Sequence, residues 1–307
     1  MAPAQAAQSP ATTQTPAGIV RPLASSAQSA VFDPATRSLL VLSPGPGEQS
    51  TVTVFAEAGA PSPVELDGAA TAMTGDGRGT VYLSTRGGYF RFDVASADVT
   101  KVDVDGQAGV DFTAVARRAD GRLVLGSADG TVYTLSSDTA VGARLKIFAR
   151  VDAVVAQGNT AVVLDRGQTS VTSLDEEGTS SEHALRAGEG ATTMAADGAG
   201  RVLVADTRGG ELLVYSVNPL ILRQRYPVPD SPYGLTGSRN TSGLAWVAQT
   251  ATNTVVGYDL ATGIPVEKVR YRTVQQPNSL AFDDASGTLY VVSGAGEGVQ
   301  VIEGAAK

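Results

Sequence analysis

Residues 286–293 read SGTLYVVS, a glycine turn followed by an apolar run that closes on a small polar residue. The tetrad YVVS, ending at Ser293, is one of seven of the same kind. The others are LVLS at Ser43, YLST at Thr85, VLGS at Ser127, VVLD at Asp165, LVAD at Asp206 and WVAQ at Gln249. Successive closing residues are 42, 42, 38, 41, 43 and 44 positions apart. A period near 40 assembled from short apolar runs is that of a β-propeller blade. Helical repeats of this length would space apolar residues at 3.6, and no such run occurs. The sequence therefore predicts an all-β, seven-bladed propeller over residues 18–305.

Working outward from each tetrad gives four strands per repeat. An inner strand precedes it, as at 70–73 and 279–282. The turn between them is rich in Asp and Gly: GDGRG at 75–79, ADG at 119–121, ADGAG at 196–200 and DDASG at 283–287. These residues tolerate the backbone angles of tight hairpins. They lack the closely spaced carboxylates of a calcium loop, so hairpin chemistry accounts for them. A third strand follows (51–55, 89–94, 131–135, 170–174, 211–217, 254–260, 298–302). A fourth, more polar strand completes six repeats, carrying Lys101, Arg223, Arg225, Lys268 and Arg270 toward solvent. The seventh repeat reaches Lys307 without one, and GIVRPL at 18–23 is predicted to supply it by pairing with 298–302. Closure of this kind hides sheet edges, and Pro22 suits an outermost strand.

Residues 1–17, MAPAQAAQSPATTQTPA, contain no charge and no large apolar residue. Such composition predicts a disordered tether. It also points to an exported chain, periplasmic or at the cell surface, whose leader ended at a lipid-bearing cysteine. The 307 residues contain no cysteine and one histidine, His183, which excludes disulfides and thiolate chemistry. No segment is long and apolar enough to span a bilayer, so any membrane contact would run through the tether. The net charge of −8 disfavours nucleic acid. Basic residues are 4 Lys against 19 Arg, a skew that suggests a GC-rich, actinobacterial source.

SGTLYVVSGAGEGVQVIE at 286–303 and GRVLVADTRGGELLVYSV at 200–217 resemble the YVTN-type and NHL-type propeller repeats. QPNSLAFDDASG at 276–287 and SPYGLTG at 231–237 resemble their Pro-x-Gly-Ile-Ala-Phe turn. The resemblance, loose in blades one, three and four, implies the fold. The N-terminal segment together with such repeats is similar to bacterial envelope lipoproteins and periplasmic propellers. A monomer without a cofactor is expected.

Residues about fifteen before each closing position are expected to ring the channel mouth: Gln28, Ala70, Phe112, Asp152, Thr192, Tyr233 and Asn278. Metal-dependent hydrolases of the gluconolactonase or strictosidine-synthase type resemble this fold and hold a divalent cation there with Glu, Asn and Asp. Only Asp111, Asp152 and Asn278 offer such a set here, and no Glu joins them. Trp246 reads as core, and His183 as a solvated outer-strand residue. A different pattern lies in the turns after the second strand, where Arg86, Arg166 and Arg208 follow the closing residue by one or two positions. The repeat places them on one face, as solvated turn residues or as a basic rim for an anionic partner. With Tyr233, Gln276 and Asn278 they form the candidate binding set. The expected function is noncatalytic binding of an envelope protein, glycan or lipid headgroup, with hydrolysis as the alternative.

Overall fold

The computed structural model describes residues 2–23 and 25–307. Met1, in the expected tether, and Ala24, in the expected propeller, lie outside the described residues. The described residues form 28 strands in seven antiparallel four-stranded sheets, six of them consecutive in sequence. Contacts divide the chain into two compact units. One holds Ala2, Val31–Arg186 and Val217–Leu220, and the other Pro3–Ala30, Ala187–Ser216 and Ile221–Lys307.

In the first unit, apolar layers lie between successive sheets. Leu40, Leu42 and Val52 pack with Val81, Leu83, Phe90 and Phe92. Tyr89 packs with Phe112, Leu125 and Tyr133, and Val124 and Val132 with Val154 and Val163. A second strand such as Ser38–Pro44 or Thr160–Asp165 is covered on both faces. Its apolar residues therefore run continuously instead of alternating. The outer strands are the reverse: Ser181–Arg186, which carries His183, is exposed over its first four residues.

The second unit repeats this arrangement. Leu203, Leu212 and Val214 pack against Val247, Val256 and Tyr258. Trp246 is fully buried among Leu280, Leu289 and Val291, with Tyr271 and Phe282 rings 6.5 and 5.7 Å away. The seventh sheet is completed as the sequence predicts. Strand Ile19–Arg21 pairs antiparallel with Val299–Ile302, matching Ile19 to Val301 and Arg21 to Val299. It is shorter than the predicted 18–23 because Pro22 ends the ladder, lacking an amide donor. Gln300, fully buried on the partner strand, donates Nε2 to Ala17 O and Arg272 O, both at 2.8 Å.

Two expectations are corrected. Residues of the expected tether find partners: Ala4 and Ser9 are buried, and Ala17 N–H donates to Arg272 O at 3.1 Å. Composition reports the apolar area the segment can bury, whereas its backbone groups and the Ser9 hydroxyl supply the contacts. Ala70 and Phe112, expected around an opening, are instead core, at 4% and 0% exposure. The Phe112 ring meets Tyr133 edge-on at 5.3 Å. The neighbouring hydroxyl has a role the sequence reading missed. Thr71 Oγ1 donates to Phe112 O at 2.8 Å, Thr113 Oγ1 to Val151 O at 2.5 Å and Thr193 Oγ1 to Tyr233 O at 2.5 Å. Each bond stitches one inner strand to the chain entering the next sheet.

Candidate functional site

The residues closing the seven tetrads are all buried, none more than 4% exposed. In the repeats that carry the candidate arginines, these polar side chains hold the turn. Thr85 Oγ1 donates to Ala69 O at 2.6 Å. Arg86, next in sequence, is exposed and forms a backbone bridge with Asp111. Asp165 accepts the Ala149 and Gln168 N–H groups at 2.7 and 3.0 Å. Arg166 is half-buried, and its N–H donates to Asp152 at 2.8 Å. Asp206 accepts the N–H groups of Glu189, Gly190 and Gly209 at 2.8, 2.8 and 3.0 Å. Arg208 is exposed and donates Nη1 to Glu189 O at 3.2 Å. A Cβ at Gly188 or Gly209 would fall 1.9 or 2.1 Å from the Asp206 carboxylate, so glycine is required at both.

In the first unit Arg86 faces a cleft of about 880 Å³, lined also by Glu48, Asp67, Thr71, Lys101 and Asp111. Three carboxylates against two cations make this a mixed-charge surface. Lys101 is further engaged by Asp103 at 3.2 Å. Such a lining suits a polar partner carrying both signs better than a purely anionic one.

The expected metal set has other partners. Asp152 pairs with Arg150 at 3.3 Å and takes the Arg166 N–H. Burial pushes its carboxyl pKa up, outweighing the pull of the Arg166 N–H and the nearby guanidinium groups. Asp111 is exposed, and its backbone carbonyl accepts the Ala128 N–H at 2.9 Å. Asn278 Oδ1 accepts from Gln276 Nε2 at 3.0 Å. Among the described residues, no three His, Cys, Asp or Glu side chains are placed to share a metal ion.

In the second unit Tyr233 is half-buried, its carbonyl bonded to Thr193. Gln276 and Asn278 are brought together, and Gln276 also holds the N-terminal segment. Its Oε1 accepts the Ser9 N–H at 2.9 Å, and its Nε2 donates to Ala7 O at 3.0 Å. The residues assisting it, Ser231, Thr250, Asn253 and Gln275, were missed from the sequence. The only signal for them is the cluster of amides at 275–278, which the repeat alignment treats as an ordinary inner-strand entry.

No protein-family model matches the chain, and no curated protein matches it. Solved structures do share its fold. A streptogramin B lyase structure superposes with a TM-score of 0.73 at 9% identity, over 94% of this chain and 96% of that one. The WD40 repeats of RRP9 give 0.78 at 14% identity, over 94% and 99%. A chain of the mitotic checkpoint complex gives 0.75 at 11% identity, over 98% and 94%. With its seven four-stranded sheets, the chain has the fold of a seven-bladed β-propeller. At these identities the likeness concerns fold alone, and this fold hosts catalysis and binding alike.

Proposed function

We propose that the chain is a noncatalytic, exported binding propeller that engages a component of the cell envelope, protein, anionic glycan or lipid headgroup, through its arginine-bearing turns. One observation carries the reading: Arg86, Arg166 and Arg208 each follow a buried polar residue whose side chain pins the turn. A pinned turn leaves little backbone ordering entropy to lose on binding, and rigid display on loops is how such scaffolds recognise partners. Around Arg86 the lining carries both signs of charge, which favours a protein among these partners. The envelope location and the monomeric state belong to the same proposal.

The test replaces Arg86, Arg166 and Arg208 together with Glu and measures recovery of the partner from solubilised envelope membranes. Each of these arginines contributes on the order of 1 kcal/mol, so the triple variant should bind about a hundredfold more weakly or worse. A control changes Arg223, Arg225 and Arg270 on the outer strands, where Arg225 and Arg270 are paired with Glu211 and Glu267. Loss of the partner in the control, with retention in the turn variant, would discard the reading.

A further inference from the structure

Within the second unit, the N-terminal segment lies against the turns around Ser231, Thr250, Asn253 and Gln276 as a bound peptide would. Ser9 is 4% exposed. Its hydroxyl donates to Thr250 O at 2.5 Å and accepts the Gln276 N–H at 3.0 Å. Around it, side chains read the backbone. The Gln276 amide spans Ala7 O and Ser9 N–H, the donor–acceptor pair that an extended strand offers on one edge. Gln275 Nε2 donates to Ser9 O at 3.1 Å, and Asn253 Nδ2 to Pro10 O at 2.8 Å. Ser231 Oγ accepts the Ala7 N–H at 2.9 Å. The side chain of Gln8, between the two contacted residues, is exposed.

The receiving residues are themselves held in unusual conformations. Asp230, Ser231, Asn253 and Gln276 have φ of +63°, +61°, +49° and +55°, the left-handed region that non-glycine residues seldom occupy. Left-handed residues of this kind cluster where a backbone is shaped for recognition. Here the carbonyl of each is held by a backbone N–H: Thr250 N–H donates to Ser231 O at 3.0 Å, Ala251 N–H to Asp230 O at 3.1 Å, Thr273 N–H to Asn253 O at 2.9 Å and Gly294 N–H to Gln276 O at 2.8 Å.

We propose that the groove formed by Ser231, Thr250, Asn253, Gln275 and Gln276 is a receptor site for an extended, uncharged partner peptide anchored by a serine. Residues 7–10 of the chain fill it in cis as a displaceable plug. The chemistry sets the ligand class. The anchor pocket encloses a small hydroxyl that must both donate and accept, which selects serine over larger or charged residues. The following carbonyl needs no N–H of its own residue, which admits proline, as at Pro10. The position before the anchor is unrestricted, as exposed Gln8 indicates. The site is independent of the arginine turns and stands whether or not they bind an envelope component.

Full-length protein carrying Ser9→Glu tests it, because a carboxylate is larger than the buried hydroxyl, has no proton for the Thr250 carbonyl and is repelled by it, and should expel the plug. Hydrogen exchange should show residues 5–12 slow in the wild type and fast in Ser9→Glu. A labelled peptide of residues 5–12, QAAQSPAT, should bind Ser9→Glu at least tenfold more tightly than it binds the occupied wild type. It should bind Ser9→Glu/Gln276→Ala at least tenfold more weakly than Ser9→Glu. Melting curves of the variants check that the sheets persist. Fast exchange of residues 5–12 in the wild type would overturn the plug. Release in Ser9→Glu without peptide binding, or binding indifferent to Gln276, would overturn the receptor site.

Discussion

Replacing Gln300 with leucine tests how the seventh sheet is closed. The side chain is fully buried and makes three hydrogen bonds, to Ala17 O, Arg272 O and the Val274 N–H, the last at 3.1 Å. Leucine is close in volume but can make none of them. Arg272 O keeps the Ala17 N–H, whereas the Val274 N–H and Ala17 O lose these partners. A stranded buried polar group costs about 1–3 kcal/mol. Leucine's added apolar burial returns part of that, so a net loss of about 2–4 kcal/mol is expected. At roughly 2–4 °C per kcal/mol for a domain of this order of size, Tm should fall by about 4–16 °C. The amides of Ile19–Arg21 should also exchange faster, because Ala17 anchors the entry to that strand. Calorimetry and hydrogen exchange on Gln300→Leu read both effects. Gln49→Ala, at an exposed position, serves as control and should shift stability by no more than about 0.5 kcal/mol. A Gln300→Leu protein that melts with the control and keeps the 19–21 amides protected would refute the assigned role of the amide.

Two further outcomes are expected. Asp206→Ala leaves the Glu189, Gly190 and Gly209 amides without their carboxylate; hydrogen bonds to a charged acceptor contribute about 1.5–3 kcal/mol each, so denaturant titration should show a loss of about 4.5 kcal/mol or more, with Asp206→Asn in between. Asp175 is a pH-dependent group: burial raises its pKa, but hydrogen bonds from Ser180 and Thr179 outweigh it and bring the value from 3.8 down to about 2. Its contribution is therefore present above the unfolded value and disappears as pH falls through the folded one, so Asp175→Asn should flatten the fall of Tm between pH 4 and 2, and an unchanged slope would count against this carboxylate.

The strand order was legible because it rests on local signals. Tetrads covered on both faces must be apolar throughout, turns must carry Asp and Gly, and outer strands may be charged, so the period near 40 survives in the bare sequence. The closing strand was legible for a related reason: GIVRPL is the one short strand-like segment left without a repeat of its own. The sites were legible only in part. The positions of Arg86, Arg166 and Arg208 followed from the repeat, but the burial of the preceding residues and the amides they bind depend on how one sheet's turn meets the entry to its own inner strand. Phe112 was assigned to an opening because the repeat gives a residue's place along a strand and not which face a local register shift sends it to; the ladder slips between Phe112 and Ala114. Residues 7–10 could not be read at all. Their composition correctly indicates that they bury little apolar surface, but what holds them is backbone hydrogen bonding to Gln275, Gln276 and Asn253, more than 240 positions away in sequence. Composition records side-chain chemistry, whereas only the folded chain decides which backbone groups meet a distant amide.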